Sequence, residues 1–267
     1  MKIGVVGATG RMGRMLIKQV HETEGCELVG AIDRPSAAEL GQDVGVLAGV
    51  GAIGVKLGTD ADAAALFKAA ACVIDFTVPA ATLAHLALAA EHGCNMVIGT
   101  TGLGAEHDAA MAQAAQKIVV MQAPNMSAGV VLLTALAEQV ARTLGPEYDI
   151  EVLEMHHRHK IDAPSGTALA LGAAAAKGRG IDLNAAAIRS RDGHTGVRPR
   201  GAIGFATLRG GDVVGDHSVI LATDGERIEL THKAASRVIY AAGAVRAARW
   251  THGKKPGRYS MRDVLGI

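Results

Sequence analysis

Aromatic residues are scarce in this 267-residue chain, at 3%, with a single Trp. The apolar share of 49% therefore rests on Ala, Val, Leu and Ile, a balance that suits helices packed on a buried sheet in a soluble α/β protein. Excess charge of one sign is also missing: 27 Lys and Arg stand against 26 Asp and Glu, for a net +1. Non-specific nucleic-acid binding is thereby excluded as the main task, and any anion is held by local placement of charge. No apolar run approaches the roughly 20 residues that a membrane helix needs. The opening MKIGVVGATG runs straight into a glycine turn, which is not the pattern of a signal peptide. Cysteine is rare and odd in number: Cys26, Cys72 and Cys94 lie far apart in or beside apolar runs. They read as reduced core residues of a cytoplasmic protein, and the glycosylation sequon at Asn125 to Ser127 carries no weight there.

What is present reads as two domains. Residues 1–126 alternate strands and helices: Lys2 to Val6, Cys26 to Ile32, Cys72 to Phe76, Asn95 to Ile98 and Ile118 to Gln122 as strands. Helices are expected at Arg11 to His21, Ala80 to His92 and Ala105 to Ala115, which implies a parallel sheet covered on both faces. Residues 127–236 differ in texture. A long helix from Ser127 to Leu144 precedes a strand from Asp149 to His157, then a helix from Ser165 to about Lys177. Gly178 to Gly201 reads as a long exposed loop. Strands at Ile203 to Leu208, Val213 to Ala222 and Glu226 to Lys233 follow one another without helices, as in an α+β domain on a mixed or antiparallel sheet. A helix from Ser236 to Trp250 returns residues 237–267 to the first domain.

Gly7-Ala8-Thr9-Gly10-Arg11-Met12-Gly13 falls between the first strand and the first helix, where a Rossmann-type dinucleotide-binding fold aims helix amides at a pyrophosphate. Asp33, twenty residues past Gly13 at the end of the second strand, is placed to hold ribose hydroxyls. Arg34 beside it can meet a 2′-phosphate, so NADH and NADPH are both expected cofactors. Gly99-Thr100-Thr101-Gly102 and Ala123-Pro124-Asn125-Met126 end two further strands at the edge where ligands of open α/β sheets bind, and each is equally compatible with a simple turn.

The densest chemistry lies from Glu151 to Ala168, EVLEMHHRHKIDAPSGTA. His156, His157, Arg158, His159 and Lys160 repel one another unless an anion offsets them, which points to an acidic ligand. A solvated basic strand end is the plain alternative. Ser165, Gly166 and Thr167 after Pro164 read as an N-cap and first-turn amides, suited to a carboxylate or phosphate.

These signatures together resemble the 4-hydroxy-tetrahydrodipicolinate reductase family. Its hallmark, E-[V/I]-x-E-x-H-x-x-x-K-x-D-x-P-S-G-T-A, is met without a gap from Glu151 through Ala168. The likeness extends through GATGRMGR, VIDFT, VIGTTG, Pro-Asn-Met-Ser, SRDGHTG, IGFATLRGGDVVGDH and MRDVL. It implies NAD(P)H-dependent reduction of a cyclic imine-type dicarboxylate in the diaminopimelate route to lysine. By the same resemblance His156 is the proton donor and acceptor and Lys160 the proton-donating lysine. Substrate contacts fall on His157, Gly166 and Thr167, with Ser165 joining them at the helix start. Cofactor contacts fall on Gly7, Ala8, Thr9, Gly10, Arg11, Met12, Asp33, Arg34, Gly99, Thr100, Thr101, Ala123, Pro124, Asn125 and Met126. The resemblance also implies a homotetramer built through the second-domain sheet. Two positions depart from the family: Asp33 stands where Glu is frequent, and Pro124, which has no amide donor, where Ala is common. Arg158 and His159 are left to support the fold or the local field.

Three rivals are weaker. A zinc site at the three histidines is disfavoured because neighbours on a strand point to opposite faces and no HExxH or cysteine pair completes a ligand set. A semialdehyde dehydrogenase needs a nucleophilic cysteine near the basic run, and all three cysteines lie in the first domain. A non-catalytic NADPH-sensing protein has no use for a proton-competent cluster.

Overall fold

A computed structural model describes residues 1–267. Its contacts divide the chain into two units, Met1–Ser127 with Val238–Gly266, and Ala128–Arg237 with Ile267. No helix is long and apolar enough to cross a membrane.

The first unit holds seven parallel strands: β1 (Lys2–Val6), β2 (Glu27–Asp33), β3 (Leu57–Thr59), β4 (Cys72–Asp75), β5 (Asn95–Ile98), β6 (Val119–Gln122) and, from the chain's last turns, β12 (Gly257–Tyr259). Their spatial order is β12-β6-β5-β4-β1-β2-β3. Ile3, Val5, Val73, Ile74, Val97, Ile98 and Val120 are all buried, because helices cover both faces and leave no polar side to the inner strands. The covering helices are α1 (Arg11–Glu22), α2 (Val44–Leu47), α3 (Ala63–Ala69), α4 (Pro79–His92), α5 (Ala105–Ala114), α9 (Val238–Trp250) and α10 (Met261–Leu265). Proline at the first helical position starts α4 and left-handed Gly93 ends it. Strands β3 and β12 and helices α2, α3 and α10 were not expected from the sequence. Leu66 and Phe67 of α3 seal the core, the helix packing against β1 and β2.

The second unit is a five-stranded sheet in the order β11-β10-β7-β9-β8: β7 (Asp149–His156), β8 (Ala187–Ile188), β9 (Ile203–Arg209), β10 (Gly215–Thr223) and β11 (Glu226–Ala234). It is mixed: β7, β9 and β8 run parallel, whereas β10 is antiparallel to both β7 and β11. Helices α6 (Ala128–Leu144) and α7 (Gly166–Arg179) cover one face, burying Ile150, Val152, Phe205, Val219 and Leu221. The expected loop from residue 178 is partly structured. Helix α7 runs to Arg179, and α8 (Leu183–Ala186) and β8 follow before an exposed irregular stretch. Arg191 and Arg198 tie that stretch back to Glu151 with hydrogen bonds of 2.7 to 3.1 Å. Strand β7 also stops one residue early, at His156, so His157 begins a turn.

Candidate active site

In the first unit the expected cofactor residues gather at the carboxyl ends of adjacent strands. Gly7 adopts the left-handed region at φ +70°, and a side chain on Gly13 would collide with the Gly7 carbonyl and approach Ala8 Cα to 2.7 Å. Helix α1 thus begins pressed against the turn. No side chain caps it and no acidic residue occupies its first turn, so its first amides suit an anion. Asp33 closes the turn from β2: its Oδ2 accepts from the Thr9 amide at 2.7 Å and the Thr9 hydroxyl at 2.8 Å, and its Oδ1 from the Arg34 amide at 2.8 Å. Arg11 and Arg34 are exposed and make no ion pair.

At the ends of β4 and β5, Thr100 is buried and its hydroxyl is used inside the fold. It accepts from the Thr77 amide at 3.1 Å and from Thr82 at 3.0 Å, and donates to Asp75 at 3.2 Å. Buried Asp75 also pairs with His85 at 2.9 Å. Burial alone would raise its pKa, but His85 and Thr77 outweigh that and hold the carboxyl below its ordinary range. Gly99 must lack a side chain because a Cβ would run into the Phe76 ring. Thr101 is exposed. At the end of β6, Ala123 and Met126 are buried, Pro124 is exposed, and Asn125 Oδ1 accepts from the Ser127 amide at 2.9 Å.

In the second unit the alternation of β7 turns Ile150, Val152, Glu154 and His156 to the buried face. His156 Nδ1 lies 2.6 Å from Glu154 Oε2. Arg209 of β9 grips the same carboxylate through two bonds of 2.8 and 3.0 Å, and the Ser165 amide donates to it at 3.0 Å. Burial would raise the Glu154 carboxyl; Arg209, His156 and Ser165 together keep it below its usual value. His217 of β10 meets the His156 ring edge-on at 5.0 Å, and its Nε2 lies 3.0 Å from Ser165 Oγ. Burial, with His156 as neighbour, pushes the His217 pKa down to about 4.

Ser165 is the N-cap of α7, accepting from the Ala168 amide at 3.1 Å. Its hydroxyl and amide are both engaged within the fold, whereas Gly166 is exposed and Thr167 half-buried. The five basic residues do not form one cationic trap. Lys160 pairs with Asp162 at 2.9 Å, and Arg158 and His159 are exposed. Burial, with Arg237 and His159 next in order, lowers the His157 pKa, which makes that ring a neutral hydrogen-bonding group near pH 7. The histidines also fail to converge: His156 turns to His217, whereas His157 lies 6.2 Å from His159, ring to ring.

Models of two halves of one family match the chain: the dihydrodipicolinate reductase N-terminus over residues 1–126 and its C-terminus over residues 129–265. The chain belongs to the dihydrodipicolinate reductase family. It is 58% identical over 267 residues to a 4-hydroxy-tetrahydrodipicolinate reductase of Afipia carboxidovorans, covering 100% of this chain and 97% of that protein. A relative of the same name from Methylocella silvestris is 57% identical, with the same coverage. Among solved structures, a dipicolinate-bound dihydrodipicolinate reductase from Paenisporosarcina sp. TG-14 shares the fold at a TM-score of 0.79 and 24% identity, each chain covered to 99%.

Within this reductase fold, Glu154, Arg209, His217 and the Asp75–His85 pair were not singled out by sequence reasoning. The i, i+2 spacing of Glu154 and His156 on a strand was the signal for the first. Arg209 and His217 lie more than fifty positions downstream on β9 and β10, inside the run IGFATLRGGDVVGDH, but nothing in that run shows that they meet Glu154 and His156.

Proposed function

We propose that this chain catalyses the NAD(P)H-dependent reduction of 4-hydroxy-tetrahydrodipicolinate to tetrahydrodipicolinate, in the cytoplasmic diaminopimelate route to lysine. The observation that carries this reading is identity of 58% along the whole chain to a reductase of that name. The glycine cradle fits a dinucleotide: left-handed Gly7, side-chain-free Gly13 and an uncapped, acid-free α1 start leave room and amides for a pyrophosphate. Asp33 and Arg34 stand at the ribose end of that site, with the turns at Gly99 to Thr101 and Ala123 to Met126 completing it. The bound nicotinamide supplies the hydride.

The residues of the second unit handle carboxylates and protons. His156 holds a proton at its imidazole, oriented by Glu154, and Lys160 carries a second at Nζ. Gly166 and Thr167 offer first-turn amides of α7 to a substrate carboxylate, while Ser165 fixes the helix start through its cap, a bond worth about 1 kcal/mol. His157, whose Nδ1 is buried without a protein partner, contributes a neutral hydrogen bond. The second-unit helices leave the far face of the sheet bare: Leu153 and Met155 of β7 lie beside Ala206 and Leu208 of β9, with Leu208 47% exposed. This face is the tetramer interface in our reading, and light scattering giving a monomer would refute that part. The activity is tested by supplying the condensation product of pyruvate and aspartate semialdehyde to the purified protein with NADH or NADPH. Oxidation dependent on that product is expected; a protein that binds cofactor without ever oxidising it would be the non-catalytic alternative.

A further inference from the structure

The buried carboxylate of Glu154 accepts four hydrogen bonds: two from Arg209, one from the Ser165 amide and one from His156. An ionised carboxylate has about four acceptor positions and no donor, so this one is saturated and cannot turn away without leaving a buried charge unpaired. Because Glu154 is acceptor only, the His156 nitrogen facing it must carry a proton, and the neutral ring is then the Nδ1–H tautomer with its lone pair at Nε2.

A second, independent feature concerns Nε2. On β10, Gly215 is buried, and a Cβ added there would stand 3.0 Å from His156 Nε2 and 3.5 Å from His217 Cε1. Its backbone is not in the left-handed region, so conformation alone does not demand glycine. What the missing side chain provides is clearance at Nε2. Other titratable groups around the ring do not compete for the Nδ1 bond. His217 is neutral and bonded to Ser165, Lys160 is paired with Asp162, and Arg209 is occupied by Glu154 and the carbonyls of Leu208 and Asp162.

We propose that Glu154 is the positioning residue of this reductase, fixing His156 with Nδ1 tied down and Nε2 presented through an opening that Gly215 keeps clear. This rests on the reading of His156 as the proton-handling group. Glu154 is not itself a catalytic residue, since it acts through the imidazole. It also joins that imidazole to the start of α7, because the same carboxylate holds the Ser165 amide.

The test uses the full-length chain labelled with 15N-histidine. In the wild type, His156, assigned by the signal lost in His156→Gln, shows its neutral form protonated on Nδ1. In Glu154→Gln the single amide oxygen is taken by Arg209, so the amide NH2 faces His156 and the tautomer reverses to Nε2–H. Turnover then falls by about ten- to a hundredfold, as for other residues that orient a catalytic group, while KM and the NADH dissociation constant change less than about threefold. Gly215→Ala keeps the Nδ1–H tautomer and loses about tenfold or more in turnover, and it decides the matter if Glu154→Gln does not fold. A Glu154→Gln chain with the wild-type tautomer and turnover, or a Gly215→Ala chain with wild-type turnover, overturns the inference. If His156→Gln is inactive while Glu154→Gln is normal, only this inference fails. A fully active His156→Gln brings down the underlying reading with it.

Discussion

Thr9 donates twice to Asp33, from its amide at 2.7 Å and its hydroxyl at 2.8 Å, so the carboxylate at the end of β2 closes the glycine turn that follows β1. Asp33 therefore shapes the turn, and in the proposed function the same carboxylate holds the ribose of the cofactor. Exposed Arg34 has no such internal duty. Arg34→Ala is expected to weaken NADPH binding by about tenfold, the loss of one charge-assisted phosphate contact, and to leave NADH binding within about twofold. Asp33→Ala, which also opens the turn, is expected to weaken both. Fluorescence titration of each cofactor checks the pair, and equal losses for NADPH and NADH in Arg34→Ala would count against a phosphate-reading role.

Gly13 offers a test of the cradle. A methyl there meets the Gly7 carbonyl and Ala8, both main chain, which cannot step aside as a flexible side chain would. Gly13→Ala is expected to cost about 1 to 3 kcal/mol in urea unfolding and to weaken both cofactors. Stability gained through higher helix propensity, with cofactor binding intact, would show that the close approach is not needed.

His217 sets a pH dependence. Its folded pKa lies near 4 against an ordinary 6.5, so the unfolded chain takes up a proton over that interval which the native chain refuses. The native state thus loses stability as pH falls from about 6.5 toward 4, by up to about 3 kcal/mol from this group, and the contribution is fully present above pH 7. In His217→Gln the acid limb of the unfolding free energy should be shallower than in the wild type. Parallel limbs in the two proteins would remove His217 as its source.

The parts legible in the sequence were those with local causes. The β1-turn-α1 unit announces itself through an apolar run, glycines and a periodic helix, and the Ser165 cap through Pro164 and Ser165 ahead of an alanine-rich run. Strand β12 has only three residues, Gly257–Tyr259, and exists because β6 offers a parallel edge some 140 positions earlier, which no window of sequence reveals. Strand β3 hides in the same way after a glycine-rich stretch. The basic run read as five cations because burial and pairing are invisible in sequence. Asp162 pairs with Lys160, and burial lowers the pKa of His157, so the run is not a field of five charges.

Cysteine chemistry is also testable. Burial pushes Cys94 up to about 12 and Cys72 well above its ordinary value, so neither presents a thiolate near pH 7. Alkylation of the native protein should reach half-buried Cys26 first and leave turnover unchanged. Inactivation that tracks modification of Cys72 or Cys94 in folded protein would contradict that placement.

The most direct measurement of the central claim is single-turnover reduction of the freshly generated condensation product by His156→Gln and Lys160→Ala, each first shown to be folded and to bind NADPH. Loss of most turnover, by about a hundredfold or more in each variant with cofactor affinity intact, is the predicted result. Near-normal turnover in both would contradict the assignment of proton transfer to this pair.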